Sequence, residues 1–154
     1  MSSAHTILLI LELAMSKFSD YLENKILDST LRGVTFPTIT TAYLGTFTGD
    51  PTDTGAGSTE NTWANTGGTV AYARQAMTFG TAVNGVVNTT AQIQFPAFQT
   101  DVPAVSSLSV AYIGIFDAAT GGNLLYHTDL ATAKTLTQDD VLSFAVSGVT
   151  VTLT

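Results

Sequence analysis

The side chains able to do chemistry are few in this chain. Histidine occurs twice, at His5 and His127, far apart in sequence, and cysteine is absent. Thiolate zinc sites, disulfides and a cysteine nucleophile are therefore excluded, and a multi-histidine metal centre within one chain is not expected. Asp139 and Asp140 form an adjacent carboxylate pair. Neighbours on a strand point to opposite faces, so this pair reads as an acidic turn ahead of a strand, not as a shared cation site. The stretch from Asp50 to Gly57, Asp-Pro-Thr-Asp-Thr-Gly-Ala-Gly, is rich in oxygen. It fails the calcium-loop pattern: counted from Asp50, glycine takes the sixth place but Asn61 stands where a bidentate glutamate is needed. A solvated, Ω-like loop is the expectation, with an irregular cation site in the Asp50–Glu60 stretch as the alternative. His127, between Tyr126 and Thr128, reads as a structural or solvent-facing strand residue. The nucleophile-elbow pattern is missing, because Gly55-Ala-Gly-Ser-Thr-Glu lacks the closing glycine. Glycine-rich nucleotide loops are missing too. No catalytic, cofactor-binding or metal-binding residue is assigned, and no cofactor is expected.

One charged side chain stands out. Arg74 is the only basic residue between Arg32 and Lys134. Its planar five-donor fork suits a fixed pair with a carboxylate, holding a loop or a neighbouring subunit. Arg74 is therefore an interface candidate, together with Trp63. Trp63, Tyr72 and Tyr112 are also the aromatics from which a glycan-stacking platform would be built, but such scattered rings read first as core.

Composition narrows the classes further. The 154 residues fit one domain, or one domain with an arm. Charged residues make up 11% and apolar residues 45%, with 13 Gly and 27 Thr. Five basic residues against 12 acidic give a net charge of −7. A nucleic-acid partner needs a basic stripe that five dispersed Lys and Arg cannot make. An acidic disordered chain would lack the β-branched and aromatic residues present here.

These groups must be positioned by a mainly β scaffold. Met15 to Arg32 has helical periodicity, with Phe18, Leu22 and Ile26 at i, i+4 and i+8 facing a sheet. Ser16 or Ser19 serves as N-cap, Asp20 sits in the first turn, and Arg32 and Gly33 mark the stop. Strands are expected at 36–47, 72–79, 90–95, 108–116 and 124–130, with a closing pair at 141–146 and 149–153 around Ser147-Gly148. The 108–116 run is nearly continuously apolar, as for a central strand covered on both faces. Gly121-Gly122 marks the tip of the hairpin that follows it. About seven short strands with turns near every ten residues suit an antiparallel β-sandwich or jelly-roll-like domain with one N-terminal amphipathic helix. The expected division is an apolar arm or extension at 1–14, the helix at 15–33 and the sandwich at 34–154. Ile7, Leu8, Leu9, Ile10, Leu11 and Leu13 form the apolar part of the arm. Glu12 interrupts the run, which is too short to span a membrane and too poorly flanked for a signal peptide. Met15-Ser-Lys-Phe-Ser-Asp reads like a natural start, so the arm is expected to be an upstream extension or an intersubunit contact.

Five blocks, in order, carry a resemblance. They are Ser19–Asp28, Thr41–Gly55, Tyr72–Phe79, Ile113–Tyr126 and Leu142–Phe144. Together they resemble a small structural-protein family of tailed bacteriophages whose members are labelled tail fibre-like or virion structural proteins. The resemblance spans Phe18 to Leu153, with the helix and the Ile113–Tyr126 block its most specific parts. The chain departs from it in the N-terminal extension and in the loop Trp63–Thr69. The resemblance implies a β-rich virion component without catalytic activity.

The reading expected from the sequence is thus a bacteriophage virion structural protein. The favoured role is a capsid decoration, or cement, protein that contacts the major capsid protein or other virion proteins, as a homo-oligomer, with a trimer as the guess. A tail-fibre, head-fibre or other adaptor component is the alternative. Acids concentrated in loops and scarce Lys and Arg suit the outer surface of the particle, away from nucleic acid and membrane.

Overall fold

A computed structural model describes the backbone of residues 6–9 and all of residues 17–153. In chain order the elements are β1 (Thr6–Leu9), β2 (Lys17–Phe18), α1 (Asp20–Arg32), β3 (Ala42–Phe47), β4 (Gln75–Met77), β5 (Val86–Asn88), β6 (Ile93–Gln94), β7 (Ser107–Phe116), β8 (Leu124–Thr137), β9 (Val141–Phe144) and β10 (Thr150–Thr152). The fold is mainly β, with one N-terminal helix. The largest sheet has five antiparallel strands in the order β2-β8-β7-β3-β4. A three-stranded sheet, β1-β9-β6, and a two-stranded sheet, β10-β5, complete it.

The period-2 alternation of β3 and β7 sorts their side chains into two apolar layers. Leu44, Ile113 and Ile115 join the main core with Met77, Ile93, Phe95, Leu142, Phe144, Val149 and Val151, which come from the smaller sheets and nearby segments. This gives the sandwich-like packing of one sheet over another. On the other face, Phe47, Phe116 and Leu124 form a second cluster, flanked by Tyr43 and Tyr112. β7 is therefore covered on both sides, as its nearly continuous apolar run requires.

Helix α1 begins later than its periodicity suggests. Lys17 and Phe18 pair with His127 and Tyr126 of β8 as a strand, so the expected start at Met15 is corrected to Asp20. Two backbone ties fix the change of direction. Ser19 N–H donates to Leu125 O, and Asp20 N–H donates to Asp53 O. The Ser19 hydroxyl oxygen then accepts from Leu22 N–H as the N-cap, and Gly33 closes the helix in the left-handed region. Leu22 is the fully buried helix residue, worth about 1.5–3 kcal/mol of apolar burial.

Three strand expectations also change. The segment 36–47 pairs only over Ala42–Phe47; its first part, with Pro37 lacking an N–H, forms no strand. The closing strands do not pair with each other. β9 lies between β1 and β6, while β10 pairs with β5, a strand that its short, Gly-flanked sequence did not announce. Strand β8 continues past Leu130 to Thr137.

The arm candidates divide between two places. The backbone of Ile7, Leu8 and Leu9 lies in β1, which pairs in parallel with Leu142, Ser143 and Phe144 of the same chain. Ile10, Leu11 and Leu13 lie outside the described residues. Among the described residues, no helix is long and apolar enough to cross a membrane.

Candidate functional site

The charged side chains that sequence scattered converge on the outer face of the five-stranded sheet. The convergence begins with two glycines. Gly45 of β3 lies opposite Gly114 of β7. A Cβ at Gly45 would stand 2.7 Å from Glu60 Oε1 and 2.9 Å from the Phe116 ring. A Cβ at Gly114 would stand 2.7 Å from Leu124 Cδ1 and 3.0 Å from the Phe47 ring. The pair leaves a slot in the sheet surface, and the slot is filled by the Glu60 carboxylate and the rings of Phe47 and Phe116, whose centroids are 6.1 Å apart.

Arg74 closes this slot. Its Nε donates to both Glu60 oxygens at 3.0 Å, and its Nη2 donates to Glu60 Oε2 at 2.7 Å. Its Nη1 donates to two backbone carbonyls of the β7–β8 hairpin, Ala118 O at 2.9 Å and Gly121 O at 2.7 Å. The guanidinium carbon lies 3.3 Å from the centroid of the Phe116 ring. Both ends of the ion pair are largely withdrawn from water, with side-chain exposures of 10% for Arg74 and 22% for Glu60. Tyr72 completes the network: its hydroxyl donates to Glu60 Oε1 at 2.6 Å and accepts from Thr46 N–H at 3.0 Å. Burial, and then the Glu60 carboxylate, push the Tyr72 phenol well above its ordinary range. Arg74 thus ties together the long loop, through Glu60, and the hairpin tip. The tip itself is shaped by Gly121 and Gly122, both at positive φ, and by Asp117, which accepts from Asn123 N–H at 2.7 Å and Asn123 Nδ2 at 2.8 Å.

A second clamp anchors the other end of the loop. His127 Nε2 lies 2.9 Å from Asp53 Oδ1. Its Nδ1 lies 3.2 Å from Asp50 Oδ1 but without hydrogen-bond geometry. The imidazole is 1% exposed, so it reaches no substrate from this position. Asp50 also accepts from Thr52 N–H at 2.9 Å and faces Lys17 Nζ at 3.7 Å. The Thr52 bond first, and then the Lys17 charge, hold the Asp50 carboxyl below its usual range despite some burial. Asp50 and Asp53 clamp the loop to the chain's own donors, while Thr52, Asp53, Thr54, Ala56, Gly57 and Thr59 stay exposed, as expected of a solvated loop. Asp139 and Asp140 diverge as an acidic turn: Asp140 accepts from Thr137 N–H and Oγ1, while Asp139, at φ 68°, accepts from Gln99 and Gln138.

Between the two clamps lies a polar groove of 460 Å³ whose walls include Asp20, Tyr21, Asp53, Thr54 and Asn123, with Arg74 and Phe116 also lining it. Its hydroxyls and carboxylates can form hydrogen bonds to a surface laid across it. Trp63 and Tyr72 supply no stacking platform there. They pack edge to face at 4.7 Å, with Trp63 inside the main core and its Nε1 donating to Ala97 O.

This is a surface of clamped loops on a rigid sheet, and sequence comparison gives it a family. Residues 17–152 match the sequence profile of Gp80, described as podophage GP4 fiber I protein gp80. The chain belongs to this family. It is thereby a virion structural protein of tailed phages, as the five sequence blocks implied. The match covers the helix, the clamps and all three sheets except β1, and begins where the described chain resumes at Lys17. No curated protein matches the chain at a significant level.

Some of this site was missed in sequence. Glu60, 14 positions before Arg74, and Asp53, 74 positions before His127, were not picked out as partners. The available signal was the pair of glycines inside apolar strands, Gly45 and Gly114, which mark a close approach.

Proposed function

We propose that the chain is a non-enzymatic, fibre-type component on the outer surface of the phage particle, acting through protein–protein contacts with other virion proteins and with copies of itself. The family match from 17 to 152, which carries a fibre protein's description, is the observation that supports this most directly. The site chemistry fits. Arg74 and Glu60 spend their hydrogen bonds on holding loops, and His127 Nε2 holds Asp53, which suits a scaffold that must present a fixed surface. The net charge of −7 sets the chain apart from genome-binding proteins and suits an exterior position. Capsid decoration, with the major capsid protein as partner, is the competing role suggested by low charge and small size. Quantitative mass spectrometry of purified particles separates the two. A fibre-scale copy number relative to the major capsid protein is expected; a head-lattice copy number would replace the fibre role with decoration.

A further inference from the structure

The turn between β8 and β9 holds a glutamine whose carboxamide is engaged on every side. The segment from Phe98 to Thr100 runs beside this turn: Asp139 N–H donates to Phe98 O at 2.9 Å, and Phe98 N–H donates to Asp140 O at 2.8 Å. Thr100 N–H lies 3.0 Å from Gln138 Oε1. A backbone N–H can only donate, so it fixes the oxygen end of the amide toward Thr100. The Thr100 hydroxyl donates to the same oxygen at 2.5 Å. With a C=O bond of about 1.23 Å, Thr100 Oγ1 can then be no more than about 3.7 Å from the Gln138 carbonyl carbon. At the nitrogen end, Gln138 Nε2 donates to Gln99 Oε1 at 3.0 Å and to Asp139 Oδ1 at 3.1 Å. Gln99 is buried, and Thr100, Gln138 and Asp139 are half-buried. A hydroxyl held at a carbonyl, a backbone N–H aimed at the carbonyl oxygen and a carboxylate touching the nitrogen are the parts that an acyl transfer needs.

We propose that Thr100 and Gln138 form an intramolecular ester cross-link. Thr100 Oγ1 bonds to Gln138 Cδ, and the negative charge that develops on Oε1 is met by Thr100 N–H. The bond from Cδ to Nε2 then breaks. Asp139, which touches Nε2, carries the hydroxyl proton to that nitrogen, and it leaves as ammonia. Nothing is oxidised or reduced, and no further reactant is consumed. The step occurs once per chain, without turnover. The bond closes a loop over residues 101–137, which contains both long strands, β7 and β8. Closing that loop restricts the unfolded chain, as a disulfide does, in a protein that has no cysteine. A load applied to the chain ends would also bypass β7 and β8. The cross-link does not depend on the fibre role, and either can fail while the other stands.

Intact-mass spectrometry of the full chain, followed by tryptic digestion, tests it. Thr100 lies in the tryptic peptide 75–134 and Gln138 in 135–154. The wild type is expected to be lighter than its sequence by one ammonia, with these two peptides joined. Thr100→Val keeps the shape of the side chain without the hydroxyl. It should have the full mass and release the two peptides separately, while Thr100→Ser should form the bond again. Asp139 has φ 68°, a conformation that asparagine also adopts. Asp139→Asn should therefore fold, as circular dichroism can check, yet form the cross-link about a hundredfold more slowly or worse. A wild type that keeps its full mass and separate peptides after prolonged incubation overturns the proposal. Ammonia loss that persists in Thr100→Val also overturns it, and assigns the loss to a succinimide such as one at Asn84-Gly85. An Asp139→Asn chain that cross-links at the wild-type rate overturns the role given to Asp139.

Discussion

Arg74→Ala removes the residue on which the outer face of the sheet converges, and its cost can be worked from the geometry. Three hydrogen bonds to Glu60 disappear, along with two to the hairpin carbonyls. The hairpin carbonyls recover water, so their loss costs little. The Glu60 carboxylate is in a worse position, because its side chain is only 22% exposed and it keeps one strong partner, the Tyr72 hydroxyl. Removing one end of a buried ion pair costs about 3–5 kcal/mol because the other charge stays desolvated. Partial access of Glu60 to water places this case at the lower end, about 3 kcal/mol. For a chain of 154 residues this corresponds to a fall in Tm of about 6–12 °C. Adding Glu60→Gln to Arg74→Ala should return about half of the loss, since a neutral amide in the slot needs no counter-charge. Thermal and urea melts of the wild type, Arg74→Ala, Glu60→Gln and the double variant complete the cycle, and hydrogen exchange should show faster opening at Gly121–Asn123 in both Arg74 variants. A loss below about 0.5 kcal/mol for Arg74→Ala would mean that the pair behaves like a solvated surface bridge, and the clamp account would fail.

Further expectations rest on other parts of the scaffold. Phe18→Asp should cost about 2–3 kcal/mol, because Phe18 packs on Tyr126 at 5.4 Å and β2 seats the helix; an unchanged thermal melt would refute this. Gly45→Ala should destabilise by about 1–2 kcal/mol by pressing on Glu60 and Phe116, and a neutral or stabilising result would show that the slot has slack. Tyr72 and Tyr126 both have phenol pKa values raised chiefly by burial. A raised folded pKa gives stability that is complete below the unfolded value near 10 and lost as pH rises toward the folded value. Tyr72 should therefore ionise only as the chain unfolds in base, and Tyr126 should ionise later than an ordinary phenol, whereas ionisation of both near pH 10 with native circular dichroism would contradict their burial.

Local signals in the sequence were read well where neighbours along the chain decide the outcome. Ser19, Asp20, Arg32 and Gly33 mark the helix ends through capping and dipole chemistry, which act within one turn. The β7–β8 hairpin follows from an apolar run ending in Gly121-Gly122. Features set by distant partners were harder to read. The first turn expected for the helix is instead drawn into a strand by β8, more than 100 residues away, and no local preference announces that. The separation of β9 from β10 has the same origin, since β1, β6 and β5 offer better edges than the turn between them. At the site, an isolated Arg74 pointed correctly to a carboxylate. Which of the 12 acids it would find depended on a 14-residue loop folding back over two strand glycines.

Immunogold labelling of intact, unstained particles with antibody against the full chain tests the central proposal most directly. Gold on external fibres, reached without opening the head, is the predicted result. Label confined to the head shell would contradict the fibre assignment, and a chain absent from purified particles would contradict a structural role in the virion altogether.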